Sequence, residues 1–438
     1  MIRHLSEISS VPTSHGSGQK RVLLSSKESG CSLTQIAVTE LKEGEVAVAH
    51  VHPDTQEGFF ILEGILELTL DGKKTIAEKD DFVYVKKGTS HELRGLTPVK
   101  LLTVGCVVES SEKIFYPMLF KKNHKTLVWG TEDWTVSEVP DSVSEVENGT
   151  WARYSLSDVI SRFPVEILGK DVAEKYGNSL PLLTKVIDAR RDLSIQVHPD
   201  DEMAQREHGK RGKSEMWYVL DAEPGACLYA GFKEKITKEE YLRRVADGTI
   251  TDVLARHEVS AGDVFYLPAG RVHAICGGIR LVEVQQSSDV TYRIFDYNRP
   301  GLDGRPRELH NELAAQAIDF TVYPEYKTEH REKEGAANEI LNTPYFSVRV
   351  VESRQSFHRD MIKYGSFVIL QNLGGRCCVK LRSRGAEVEL PEDQACLIPA
   401  AVADYDIIPV DGKVKVLESF INNKKSIGRI ISDFFHLN

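Results

Sequence analysis

Residues 193–218 read LSIQVHPDDEMAQREHGKRGKSEMWY. Leu193, Ile195 and Val197 alternate with Ser194, Gln196 and His198, the period of a strand, so Gln196 and His198 point the same way. Pro199-Asp200-Asp201 ends that strand, and a polar, basic loop with Gly-Lys steps at 209–210 and 212–213 is expected to follow. Residues 215–220, EMWYVL, then resume the sheet and bring in Glu215. Gln, His and Glu from paired strands can converge on one cation. A hairpin with a polar wet face explains this piece alone equally well.

A second stretch shifts the balance. Residues 262–277, GDVFYLPAGRVHAICG, carry the spacing G-x5-P-x-G-x2-H-x3-G at Gly262, Pro268, Gly270, His273 and Gly277. The glycines and proline turn the chain sharply between two strands and leave His273 just past the turn. Added to Gln196, His198 and Glu215, it completes two nitrogen and two oxygen donors. Such a set suits zinc or another borderline divalent metal.

The motifs QVHPDDE, GKSEMWYVL, LPAGRVHAI and DVTYRIFDYNR resemble the type I phosphomannose isomerases, a zinc-dependent cupin family. The likeness runs from about Tyr116 to the C-terminus and includes YPMLFKKNHKTLVWG and LPLLTKVIDARRDLSIQVHPDDE. It implies interconversion of mannose 6-phosphate and fructose 6-phosphate through an enediolate, with one zinc ion in the catalytic domain. It also implies an active-site lysine at Lys185 and pocket-lining residues at Glu283, Asp289 and Arg293. One departure is visible. The family has a second glycine after its Trp-Gly and then a Trp-Glu pair, whereas Thr131 follows Trp129-Gly130 here and Trp134-Thr135 stands for the pair.

Length and composition bound the rest. At 438 residues, two or three domains are expected. The formal charge of −10 argues against general nucleic-acid binding. No run is long enough for a membrane span, and the N-terminus has no apolar segment of the signal-peptide kind. Seven scattered cysteines without a CxxC pair favour reduced thiols and a cytoplasmic location.

Residues 1–34 are polar and read as a strand or arm followed by loop; from Gln35 short strands recur between Gly, Asp and Lys turns, the pattern of a small barrel. Gly44, His50, His52, Glu57 and Gly64 fall at G-x5-H-x-H-x4-E-x6-G, which resembles the first cupin motif. The second motif is worn: Gly88 and His91 keep G-x2-H, but Asp80 replaces its first glycine, Lys86 its proline, and Gly95 stands where asparagine is common. His50, His52, Glu57 and His91 are therefore candidate ligands of a second divalent metal, with Zn, Fe, Mn and Ni all open.

The chain leaves this barrel between Glu109 and about Lys125. Residues 155–168 and 237–258 carry helical spacing, with Ser155 or Ser157 and Thr237 as candidate N-caps. From Tyr345 a third β-rich unit begins, where Asp393, Pro399 and Ala401 echo the turn pattern and Asp404 stands in place of the histidine. The expected fold is mainly β: several cupin (double-stranded β-helix) barrels with a small helical insertion. The domains are 1–112, 113–335, catalytic, and 336–438, cupin-like without metal ligands.

Arg293 is expected to stabilise the developing oxyanion or help move a proton, with Glu283 or Asp289 the base, and Lys213 and Lys185 the positive charge for the enediolate or the phosphate. Competing readings are a catalytically silent metal-binding sensor of sugar phosphates, and an isomerase or epimerase of a different sugar. Exposed edge strands suit a homodimer.

Overall fold

The computed structural model describes residues 2–13, 15, 18–29, 33–53, 55–107, 115–383 and 385–423. The chain divides into two compact units, Met1–Ile114 and Phe115–Asn438. The boundary expected near residue 112 lies outside the described residues. Among those described, no helix is long and apolar enough to cross a membrane.

Three barrels are built on one plan, each from two antiparallel sheets. In the first, Leu33–Leu41 and Thr55–Glu63 flank the central strand Val99–Val107. In the second, Leu182–Ala189 and Glu215–Ala222 flank Ile279–Gln286. In the third, Ser347–Ser353 and Val368–Gly374 flank Val414–Phe420. The central strand of the second barrel is apolar at Ile279, Leu281, Val282 and Val284 and nearly all buried, as a strand covered on both faces must be. Trp217, Val219, Phe265 and Leu281 pack with it into one core cluster.

The register carries the repeat down to single residues. Ala37 pairs Thr103, which pairs Phe59; Lys185 pairs Glu283, which pairs Trp217; Arg349 pairs Glu418, which pairs Leu370. The same turn recurs each time, joining one sheet to the other. Gly262, Asp80 and Asp393 have φ of 92°, 72° and 62°, and each donates its N–H to a strand of the six-stranded sheet, at Val219, Ile61 and Asn372. The turn needs a left-handed residue, which glycine takes freely and aspartate tolerates. The worn motif at Asp80 is thus the same backbone.

Two expectations are corrected. The stretch after Pro199 is a helix, Asp201–His208. The Asp200 carboxylate accepts from the Met203 N–H, Asp201 and Glu202 occupy the first turn, and Gly209 closes the end in the left-handed region. Nor does the strand of Gln196 pair with that of Glu215. Ile195–Val197 pairs with His273–Ile275 and Tyr292–Phe295, whereas Glu215–Ala222 lies in the facing sheet. Glu215 reaches the histidines across the barrel interior. Within the stretch read as a strand or arm followed by loop, residues 19–25 form a strand of the first sheet.

The helices stand where expected, but residues 254–258, read with the second helical stretch, form a strand, Leu254–Glu258, paired with Cys227–Phe232. Ser155 caps Leu156–Arg162 through a reciprocal box with Asp158, and Thr237 caps Lys238–Ala246.

Candidate metal centres and the pocket beside the second

In the second barrel His198, Glu215 and His273 are buried, with ligand atoms within 4.8 Å of one another. His198 Nδ1–H donates to the Val290 carbonyl and His273 Nδ1–H to the Arg271 carbonyl, each at 2.8 Å. A carbonyl only accepts, so both Nε2 lone pairs face the cluster. The Gly270 N–H donates to the His198 carbonyl, which ties the turn to the ligand strand. Burial, then the Lys213 ammonium, lowers the His198 pKa to about 4, so its imidazole is neutral at neutral pH. Burial works against the Glu215 charge, but Lys213, His273 and His198 together hold its pKa well below the usual range.

The donor set calls for a cation. Both Glu215 oxygens are buried without a hydrogen bond, 3.4 Å from His198 Nε2 and 3.1 Å from His273 Nε2. The Lys213 ammonium reaches into the same space, 3.0 Å from Glu215 Oε2 and 3.2 Å from His198 Nε2. Gln196 brings its amide end 3.3 Å from His273 Nε2. A half-turn of that amide presents Oε1 instead of Nε2. The four sequence-derived ligands are therefore brought together, and they fit a divalent ion.

A cavity of about 250 Å³ opens beside them, lined by Lys185, Gln196, Lys213, Glu283, Asp289 and Arg293 among others. Lys185 and Glu283 form a buried ion pair at 2.9 Å, and the other Glu283 oxygen accepts from Trp217 Nε1 at 2.9 Å. Burial and the Glu215 charge push the Glu283 pKa up, but Lys185, Lys213 and the Trp217 bond outweigh them and leave it lowered. Arg293 donates to the Glu308 carbonyl, and its Nε is buried without a partner. Asp289 stands at the exposed rim, paired with Lys210 at 2.7 Å.

Three lining residues escaped the sequence reading. Glu132 is buried, accepts from Trp134 Nε1 at 2.9 Å and lies 3.8 Å from Lys185. It supplies a carboxylate where the family's Trp-Glu pair is missing. Lys125 sits 3.3 Å over the Trp134 ring, and Arg307 pairs with Asp296 while stacking on Trp129. The signal for Glu132 was its two-residue step to Trp134, which puts both on one face of a strand.

In the first barrel His50, His52, Glu57 and His91 also come within 4.8 Å of one another. His50 and His91 donate Nδ1–H to the Val48 and Thr89 carbonyls, and His52 Nε2 is buried without a hydrogen bond. The Gly88 N–H donates to the His52 carbonyl as Gly270 does to His198. Burial opposes the Glu57 charge, yet the His91 bond and the neighbouring imidazoles leave its pKa lowered. In the third barrel the register puts Asp360 opposite Asp404 where the others have His50 opposite His91 and Gln196 opposite His273. Among the described residues no metal-ligand cluster forms there.

This geometry defines a multi-barrel cupin protein with a charged pocket beside one of its ligand clusters. The comparisons make it specific. A cupin-domain profile matches residues 37–105, and the profile "phosphomannose isomerase type I, catalytic domain" matches residues 124–226. Mannose-6-phosphate isomerase ManA of Bacillus subtilis (strain 168) is 36% identical over 251 residues, 53% of this chain and 78% of that protein. The mannose-6-phosphate isomerase of Streptococcus mutans is 38% identical over 222 residues, 50% of this chain and 67% of that protein. The crystal structure of the Bacillus subtilis mannose 6-phosphate isomerase superposes with a TM-score of 0.63 at 28% identity, covering 69% of this chain and 99% of that one. The chain belongs to the mannose-6-phosphate isomerase family.

Proposed function

We propose that the second barrel interconverts mannose 6-phosphate and fructose 6-phosphate, with zinc held by Gln196, His198, Glu215 and His273. The observation that carries this reading is the juxtaposition of that donor set with a pocket walled by Lys185, Glu283, Glu132 and Lys213. Bound there, the ion supplies Lewis-acid polarisation of sugar oxygens.

The residues account for the remaining chemistry. Isomerisation moves a proton between C1 and C2 of the open-chain sugar and places negative charge on the neighbouring oxygens. Lys213 and Arg293 border the pocket and stabilise that charge in a site shielded from water. Glu283 has both oxygens engaged and its pKa lowered, which makes it a weak base. Glu132 faces the same pocket with one oxygen bonded to Trp134, so it joins Glu283 and Asp289 as a candidate base. Lys125 and Arg307 add cationic charge suited to the phosphate. In the first barrel, His50, His52, Glu57 and His91 would hold a second divalent ion.

The test is turnover of mannose 6-phosphate by the full chain before chelation, after it, and with zinc restored. Zinc-dependent turnover supports the reading; bound zinc without turnover moves it to a different sugar or to a sensor. Glu132→Gln and Glu283→Gln separate the bases: the true base loses kcat with little change in KM.

A further inference from the structure

The first barrel has its own cavity, about 230 Å³, opening from His50, His52, Glu57 and His91. Its back wall differs from that of the second. Where the second has the Lys185–Glu283 ion pair, the first has Ala37 and Thr103, with the Thr103 hydroxyl 3.0 Å from that of Thr39. Phe59 takes the place of Trp217. The proton-handling charges of the isomerase pocket are absent from these positions.

The charge of the first cavity comes instead from the N-terminal arm. His15 stacks on His50 with ring centroids 3.6 Å apart and planes 9° apart, and its carbonyl accepts from the Val48 N–H at 2.9 Å. Its ring also lines the cavity. Lys20 pairs Thr39 across the sheet and lines the same cavity; its ammonium donates to Gln35 Oε1 at 3.0 Å. Three neutral imidazoles and one carboxylate leave a bound dication net positive, and Lys20 adds a further positive charge.

We propose that the first barrel is a separate binding site for a small 2-oxo- or 2-hydroxy-carboxylate, chelated through two oxygens at the metal and gripped by His15 and Lys20. This rests on the reading of His50, His52, Glu57 and His91 as metal ligands. A chelating carboxylate satisfies the net positive charge, its oxygens suit the imidazole N–H and the ammonium, and its carbon chain lies against Phe59, Leu93 and Leu101. A neutral carbonyl compound leaves Lys20 without a counter-charge.

The experiment uses the full chain loaded with Co(II), with pyruvate as probe and acetone as the neutral control. Metal content is measured first: the wild type holds two equivalents and His91→Ala one. If both hold the same number, the metal reading fails and the proposal with it. With two bound, pyruvate changes the visible Co(II) spectrum of the wild type but not of His91→Ala, and acetone changes neither. No change with pyruvate, or an equal change with acetone, overturns the ligand class. Lys20→Met and His15→Phe (which keeps the stack on His50 and removes the ring nitrogens) retain two metals and weaken pyruvate binding about tenfold or more, the worth of a charge-assisted hydrogen bond. Unchanged pyruvate affinity in both variants overturns the grip by the arm.

Discussion

The first and second barrels share a backbone plan and a ligand layout, yet their walls carry opposite chemistry. Around the second cluster, Lys185, Glu283, Glu132 and Lys213 form a buried, charged network with Trp217 and Trp134 as donors. Around the first, the register-matched positions hold Ala37, Thr103 and Phe59. The third keeps a carboxylate at the matched position, Glu418, but closes on it from within: Arg359 binds it twice, at 2.7 and 2.6 Å, and Tyr405 donates at 2.8 Å. The barrel therefore fixes where a central carboxylate or hydroxyl stands, and its neighbours decide whether that group faces a ligand or an internal partner.

The largest expected effect separates the two clusters. His198→Ala removes the metal of the second barrel and lowers mannose 6-phosphate turnover by about a thousandfold or more. His91→Ala removes the metal of the first and leaves turnover within about twofold, as for independent sites. Metal content and kcat on the same preparations check this. Loss of turnover in His91→Ala would mean that the first barrel belongs to the working isomerase.

Next in size is the contrast between the charged interiors of the second and third barrels. Arg359→Met strands the fully buried Glu418 carboxylate and is expected to cost about 3–5 kcal/mol. Replacing both partners, Arg359→Met with Glu418→Leu, recovers most of that, with the Tyr405 hydroxyl left lacking its acceptor. Lys185→Met costs a similar amount by stranding Glu283, and also abolishes turnover. All 4 tryptophans lie in the second unit, at 129, 134, 151 and 217, so urea unfolding followed by their fluorescence reads these changes. A double variant no more stable than Arg359→Met alone would falsify the account of Glu418 as a carboxylate neutralised mainly by Arg359.

The ligand clusters were legible in the sequence because their spacing is local. An H-x-H or Q-x-H step puts two donors on one strand face, and G-x2-H places the last donor just past a turn. The barrel fold was legible for the same reason, from short strands and recurring turns. Pairings distant in sequence were not. Lys185 meets Glu283 across 98 positions and Arg359 meets Glu418 across 59, contacts that only the sheet register creates. His15 stacks on His50 from a stretch whose polar composition read as a strand or arm followed by loop, with no sign of that contact. The helix Asp201–His208 was missed although its Asp200 cap, acidic first turn and Gly209 stop were all present, because its one apolar face, Met203 and Ala204, is too short to show a period.

The smallest effect sharpens the repeat itself. Asp80 and Gly262 hold the same left-handed turn position, and the Asp80 side chain is exposed. If the backbone alone sets the requirement, Asp80→Gly relieves residual strain and adds unfolded-state freedom, two terms that nearly cancel, so stability changes by less than about 0.5 kcal/mol. Asp80→Ala keeps the strain without aspartate's tolerance for it and costs about 1 kcal/mol. The first unit has no tryptophan, so amide hydrogen exchange along the strand Thr55–Glu63, whose Ile61 carbonyl accepts from the Asp80 N–H, is the readout. Faster exchange in Asp80→Ala with wild-type exchange in Asp80→Gly makes the aspartate a stand-in for glycine. Equal loosening in both makes its carboxylate a contributor in its own right, and the first barrel's turn would then differ from the second's in more than its residue.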